Sequence, residues 1–375
     1  MLNPEQFYKS LLEKNIDFFA GVPDSLLKNF CSYLMDQAGK NHIISANEGN
    51  AVALAAGHYL ATGNIGLVYM QNSGIGNAVN PLVSLVDPEV YSIPMLIVVG
   101  WRGEPNIKDE PQHIKQGKIT KKLFEALSIP YDILPSSLDE AVKCLDKACA
   151  YMKEKSAPYV LIVRKDTFEK YSLQNKPVNS YLVSREEAIK CIVDALTPED
   201  IIVSTTGKAS RELFEYRDYR HQGHDKDFLT VGSMGHSSSI ALGIAREKKN
   251  RKIYCLDGDG ALIMHTGSLA IIGSQALHNF NHIILNNGCH ESVGGQPTVG
   301  FNVDMQLLAQ ACGYKNVYQA NSLEDIKNSL KLLNDSVGPS FLEIRINSLS
   351  REDLGRPNIS PIDNKKNFIK FIKNT

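Results

Sequence analysis

Two short stretches carry oxygen ligands at a spacing that suits a cation with a phosphate ester. Leu-Asp-Gly-Asp-Gly-Ala occupies 256–261, and Leu-Asn-Asn-Gly-Cys-His occupies 285–290. Each ends an apolar run that reads as a buried strand, 252–256 and 282–285. Asp259 and Asn287 are 28 positions apart, enough for one helical crossover between parallel strands. Both side chains are therefore expected at one sheet edge, at strand C-terminal ends, where open α/β sheets bind ligands. Gly260 has no Cβ, so the main chain there can approach a ligand closely. One carboxylate, one amide oxygen and a backbone carbonyl form a hard-oxygen set with positions left over for phosphate oxygens. That set suits Mg²⁺, which is held by few protein ligands plus phosphates. A lone Gly-Asp-Gly is a common turn; its pairing with Asn-Asn across a strand–helix–strand unit is far more specific.

Other residues of chemical interest stand at similar places. Glu48 follows Asn47 at the start of an Ala-rich helix, 51–62, where by itself it reads as an acid favoured by the helix dipole. Thr206-Gly207-Lys208 lies at another strand end, and Gly232-Ser233-Met234-Gly235 lies between a strand and a helix. Residues 101–118 read as a polar loop holding Arg102, Lys108, His113, Lys115 and Lys118. A structureless connection that long favours a functional role or disorder, and most of its charges read as solvated surface.

The elements that must position these residues alternate βα through both halves of the chain, which predicts parallel sheets covered by helices on both faces. In the first half strands are expected at 16–20, 42–45, 66–70, 93–99, 131–134 and 159–163. In the second they are expected at 201–204, 228–231, 253–256, 282–285 and 341–346, with one helix over 262–277. The reading is α/β: two doubly wound parallel-sheet domains, 1–170 and 184–375, joined by a polar linker, 171–183, that contains Lys176-Pro177. The tail from 347 is expected to pack on the outside. A length of 375 residues suits two domains. A net charge of −1 shows no basic excess for nucleic acid. Seven scattered cysteines without a Cys-x-x-Cys pair suggest reduced thiols and a cytoplasmic protein. No leader pattern opens the chain, and the longest apolar run, around 95–99, is too short to span a bilayer.

Together these motifs resemble the thiamine diphosphate-dependent 2-oxo-acid decarboxylases. The resemblance implies that Asp259, Asn287 and the main chain of Cys289 hold Mg²⁺, and that Gly207, Gly260 and Ala261 lie along the diphosphate. It implies that Glu48 hydrogen-bonds the aminopyrimidine ring and drives the imino tautomer that removes the thiazolium C2 proton. Met234 would bend the cofactor, with the Gly232 carbonyl receiving its amino group. Asp24 and His113 resemble polar residues over the thiazolium. Asn72, Ser73, Arg102, His113, Lys115, Lys118 and His290 become candidate substrate contacts. Most members carry a middle domain for which this chain has no room. The compact form, with Gly21-Val22-Pro23-Asp24-Ser25, Gln71-Asn72-Ser73-Gly74 and Ser292-Val293-Gly294-Gly295-Gln296-Pro297-Thr298, resembles the phosphonopyruvate decarboxylase family. Sulfopyruvate decarboxylases are the next relatives in size and chemistry. The implied reaction turns 3-phosphonopyruvate into phosphonoacetaldehyde and CO₂, a step of phosphonate biosynthesis. The implied assembly is a homodimer or higher homo-oligomer, with the site between the first domain of one subunit and the second of another.

Overall fold

A computed structural model describes residues 1–176 and 179–373. The chain divides into two compact units: Met1–Lys176 with His290–Gln296, and Pro177–Cys289 with Pro297–Thr375. Pro177 of the expected linker lies outside the described residues.

The first unit holds β1 (Phe19–Gly21), β2 (His42–Ile44), β3 (Gly66–Gln71), β4 (Met95–Gly100), β5 (Tyr131–Ile133) and β6 (Tyr159–Val163). They form one sheet in the order β2-β1-β3-β4-β6-β5, with every pairing parallel. Successive side chains of a strand face opposite sides, and the cores follow that alternation. Leu96 and Val98 join the core on one face, and Met95, Ile97 and Val99 join the core on the other. Burial of both faces explains why β4 is an unbroken apolar run and not an alternating one.

The second unit holds β7 (Ile201–Ser204), β8 (Asp227–Leu229), β9 (Ile253–Gly258) and β10 (Phe280–Asn286). A two-stranded ribbon follows in the chain, β11 (Cys289–His290) with β12 (Gln296–Pro297), its span His290–Gln296 being counted with the first unit, and the second unit continues with β13 (Asn316–Ala320) and β14 (Ser340–Arg345). The main sheet runs β13-β14-β10-β9-β7-β8 and is parallel throughout. Setting the ribbon aside, its strands in chain order take the same places as those of the first sheet. The order reverses between β1 and β3, and again between β7 and β9. Such a reversal opens a crevice at the carboxyl ends of the strands. Among the described residues, no middle domain intervenes in the chain between the strands of the first sheet and those of the second. Among the described residues, no helix is long and apolar enough to cross a membrane.

Three local readings need correction. Residues 111–118 are not loop but the start of a helix, Pro111–Ala126, with Pro111 in its first turn. Its buried positions are His113, Gly117, Thr120 and Phe124, so the helical stripe is present but only one member is apolar. The segment 262–277 is two helices, Asp259–Met264 and Gly267–Gln275. The tail is not merely an outer wrapping. It ends in a helix, Pro361–Lys373, whose Phe368 is buried against Phe228, ring centroids 5.4 Å apart. Asn364 bonds the main chain of β8 at both Asp227 and Leu229.

Candidate active site

In the second unit, β9 ends at Gly258 and Asp259 opens the next helix. The β9–β10 register pairs Gly258 with Leu285, so Asn286 and Asn287 run beside Asp259 and Gly260. The Asp259 carboxylate is 3% exposed. Burial pushes its carboxyl up to about 6, against the Thr298 hydroxyl and the main-chain amides of Asn287 and Gly260, which favour the ionised form. These donors are all neutral. A buried acid met only by neutral donors is short of a positive charge, which a bound divalent cation would supply.

The two asparagines divide their work. Asn286 is fully buried and locks the loop: its amide donates to Glu343 at 2.7 Å and to the Gly300 carbonyl at 2.9 Å, and its oxygen accepts from the Gly288 amide. Asn287 has its amide oxygen turned to the main-chain N–H of Cys289 at 3.1 Å. That bond folds the chain so that the Asn287 oxygen and the Cys289 main chain share one small turn. Nearby, the Gly232 amide donates to the Thr206 hydroxyl at 3.0 Å and ties together the loops after β7 and β8. Gly235 has φ +82, and a Cβ there would fall 2.9 Å from the Ala261 carbonyl. The Met234 turn is thereby seated on the helix that Asp259 opens. Gly207, Gly232, Met234, Gly260, Ala261, Asp259 and Asn287 thus gather at the carboxyl ends of β7–β10. This donor set fits a divalent cation with a diphosphate.

In the first unit, Glu48 opens the helix Glu48–Thr62 and is 5% exposed. Asn47 caps that helix through the Asn50 amide at 3.0 Å. Glu48 instead meets the start of the helix Ile75–Ser84, where the Asn77 side-chain amide donates to its Oε2 at 2.7 Å. Its Oε1 lies over Gly74, where a Cβ would stand only 2.2 Å away. Burial raises the Glu48 carboxyl, and the Asn77 bond works against that rise. An acid whose environment shifts it toward the protonated form fits a ligand with a basic ring nitrogen.

A second group collects after β1 and β4. Asp24 is fully buried, accepts from the Leu26 amide at 2.9 Å and the Leu27 amide at 3.3 Å, and is raised by burial. Arg102 grips Asp109 with two nitrogens and donates a third bond to the Ser25 hydroxyl at 2.7 Å. Burial works to raise Asp109, but the Arg102 guanidinium and the Glu110 and Gly103 amides hold it well below the usual carboxylate range. His113 is 8% exposed, and burial and the Arg102 charge shift it toward the neutral form against the pull of Asp109 and Glu110. Asn72 is buried, with its amide on the Arg102 carbonyl at 2.8 Å and on the Thr120 hydroxyl at 2.9 Å. Ser73 is exposed and accepts from Gln71. Lys115 and Lys118 stand exposed on the helix Pro111–Ala126. His290 is held down to about 4 by burial.

Asn77, Thr298, Asp109, Ser25 and Thr120 are the partners that the reading of the sequence missed. The available signal was that Ser25 and Thr298 fall inside motifs already singled out for their neighbours and that Asp109 lies within 101–118; Asn77 stands just beyond the Gln71-Asn72-Ser73-Gly74 motif.

Residues 4–123 match the N-terminal TPP binding domain of thiamine pyrophosphate enzymes, and residues 205–344 match their C-terminal TPP binding domain. A phosphonopyruvate decarboxylase from Streptomyces viridochromogenes is 32% identical, over 99% of this chain and 95% of that protein. A phosphonopyruvate decarboxylase from Streptomyces hygroscopicus is 33% identical, over 99% of this chain and 94% of that protein. A sulfopyruvate decarboxylase from Methanosarcina acetivorans is 27% identical, over 98% of this chain and 97% of that protein.

Proposed function

Because the chain belongs to the thiamine pyrophosphate enzymes, and among them to the phosphonopyruvate decarboxylase family of carboxy-lyases, we propose that it decarboxylates 3-phosphonopyruvate to phosphonoacetaldehyde and CO₂, with Mg²⁺ as its metal. The observation that carries the substrate is the near full-length identity of 32% and 33% to two phosphonopyruvate decarboxylases. We read it as a cytoplasmic enzyme of phosphonate biosynthesis and a homodimer or higher homo-oligomer.

In this reading Asp259, Asn287 and the Cys289 main chain hold Mg²⁺, and Gly207, Gly260 and Ala261 line the diphosphate. Met234 and Gly232 orient the cofactor rings, and Glu48 exchanges a proton with the aminopyrimidine. Bound thiamine diphosphate would supply the electron sink for the pair left by departing CO₂. Asp24 and His113 are two buried groups whose environments both favour the neutral form: for the Asp24 carboxyl that form carries a proton and suits delivery to a carbon that has lost its carboxylate, whereas for the His113 imidazole it is a base or hydrogen-bond partner. Arg102 has its guanidinium on Asp109 and Ser25, so its role is to hold the Asp24 turn. Lys115 and Lys118 have exposed ammonium groups, and with His290, Asn72 and Ser73 they remain the candidates for the phosphonate and carboxylate.

The test is a comparison of kcat/KM on phosphonopyruvate, sulfopyruvate and pyruvate with purified protein, thiamine diphosphate and Mg²⁺. The expected order places phosphonopyruvate first. A preference for sulfopyruvate would replace this substrate with the second reading, sulfopyruvate decarboxylation, which the match to the Methanosarcina acetivorans protein favours. Bound cofactor with no CO₂ from any of the three acids would reject both.

A further inference from the structure

We propose that Asn77 is a positioning residue for Glu48: it holds Oε2 by donating to it, and so leaves the exchangeable proton of that carboxyl on Oε1. The inference rests on the reading of Glu48 as the acid that exchanges a proton with the cofactor.

The start of a helix offers an acid the free amides of its own first turn. Here that task belongs to Asn47, which caps the helix. Two close approaches bring the neighbouring helix up to Glu48. A Cβ on Gly49 would lie 2.8 Å from the Asn77 carbonyl, and a Cβ on Gly74 would lie 2.2 Å from Glu48 Oε1. Neither position has room for a side chain, and the contact they permit puts the Asn77 amide 2.7 Å from Oε2. An amide N–H only donates, so the oxygen it meets is the deprotonated one. When the carboxyl carries a proton, that proton therefore sits on Oε1. It passes from Oε1 to a ring nitrogen of the ligand, and the carboxylate left behind keeps the Asn77 bond on Oε2. The same bond shortens the list of rotamers open to Glu48, a side chain that otherwise has much freedom to lose.

Asn77 is itself an exposed residue, so it contributes little to the core. Its removal costs the fold little beyond the one bond to Glu48, and the effect of removing Asn77 can be read without loss of the fold. Asn77→Asp keeps the shape and replaces the donor by an acceptor that repels Oε2.

The experiment measures two quantities on full-length protein: the exchange rate of the cofactor C2 proton, by quench and NMR, and the thiamine diphosphate Kd in Mg²⁺ without substrate. Asn77→Ala and Asn77→Asp should slow exchange by about tenfold to a hundredfold, the worth of a charge-assisted hydrogen bond expressed as a rate. Their Kd should stay within about threefold, since cofactor affinity rests on the diphosphate half. Glu48→Gln should slow exchange at least as much, and Glu48→Gln/Asn77→Ala should be no slower than Glu48→Gln alone, because Asn77 acts through that carboxyl. If Glu48→Gln is slow but both Asn77 variants exchange at the wild-type rate, the positioning role falls and the reading of Glu48 stands. If Asn77→Ala slows exchange by the same factor with and without Glu48, Asn77 acts on its own and the inference is overturned. Wild-type exchange in Glu48→Gln would remove the reading of Glu48 and this inference with it.

Discussion

Thr298 donates its hydroxyl hydrogen to the carboxylate of Asp259, so a residue 39 positions downstream sets the direction of the acid that opens the helix after β9. The Thr298 hydroxyl also accepts from the Gly300 amide at 3.1 Å, and the Thr298 amide donates to the Gly288 carbonyl at 2.9 Å. The ribbon's exit is thereby stitched both to the Asn-Asn loop and to the acid.

The first prediction follows from that bond. A hydroxyl donor favours the ionised carboxylate, the form that binds a cation. Thr298→Val keeps the shape and removes the donor. It should weaken Mg²⁺ binding by about tenfold, the order of one hydrogen bond to a charged group, whereas Thr298→Ser should stay near wild type. Mg²⁺ titration at saturating thiamine diphosphate checks this, and equal affinities in the three proteins would contradict it.

A second prediction concerns Arg102 and Asp109. Their two-pronged contact is partly buried, with both side chains at or below 20% exposure. Removing either should destabilise the turn by about 1–3 kcal/mol, and the double variant should cost clearly less than the sum of the two singles. Activity on phosphonopyruvate and pyruvate should fall together in Arg102→Ala, because the Asp24 turn is disturbed for every substrate. Lys115→Ala and Lys118→Ala should instead lower kcat/KM for phosphonopyruvate more than for pyruvate. Denaturant melts and the paired kinetic ratios decide; a selective loss in Arg102→Ala would return the guanidinium to the phosphonate.

The parts that could be read from sequence share one physical origin. β4 and β10 are buried along their whole length, so β4 appears as an unbroken apolar run and β10 shows one in Ile283-Ile284-Leu285, and Asp259 and Asn287 are visible as polar residues just after the apolar stretches of β9 and β10. The helix Pro111–Ala126 was hidden because His113, Gly117 and Thr120 fill most of its buried stripe, and hydrophobic periodicity does not register them. The tail helix was hidden because only Phe368 and Asn364 are fully buried on it, with Phe371 and Ile372 partly buried against the same core, in a segment otherwise rich in polar residues. Asn77 and Thr298 reach partners 29 and 39 residues away by single hydrogen bonds. Nothing in local spacing announces such a bond. The shared strand order of the two sheets follows from how crossovers pack, which no single segment encodes.

A third prediction is a pH dependence of stability. His42 lies on β2 with its Nε2 2.8 Å from the Tyr69 hydroxyl, and burial lowers it to about 4. An unfolded chain protonates this imidazole near pH 6.5. Between about pH 6.5 and about 4 the unfolded state holds a proton that the folded state refuses, so stability falls as pH falls through that window and is fully present above it. The total is about 3 kcal/mol, of which about 2 kcal/mol is lost by pH 5. His42→Gln cannot take up the proton, so its loss of stability from pH 7.5 to 5 should be smaller by about that amount. Denaturant unfolding of both proteins at the two values tests it, and parallel pH profiles would show that His42 protonates freely in the folded state.

The last prediction addresses the assembly. Glu48 belongs to the first unit and Asp259 to the second, and the proposed reaction needs both. Glu48→Gln should be inactive with an intact Asp259 half, and Asp259→Ala should be inactive with an intact Glu48 half. If each site takes its first unit from one subunit and its second from another, a hybrid dimer has one site with both halves intact and one with neither. Random mixing of equal amounts makes about half of the dimers hybrid, and one of their two sites works, so about a quarter of wild-type activity should return. The two proteins are mixed under conditions of proven subunit exchange, with tagged hybrids purified to confirm that they form. Activity near that fraction, rising as hybrids accumulate, supports a shared site. If purified hybrids remain as inactive as the two parents, each site is built within one chain, because a hybrid of that kind contains one site lacking Glu48, one lacking Asp259 and none that is whole.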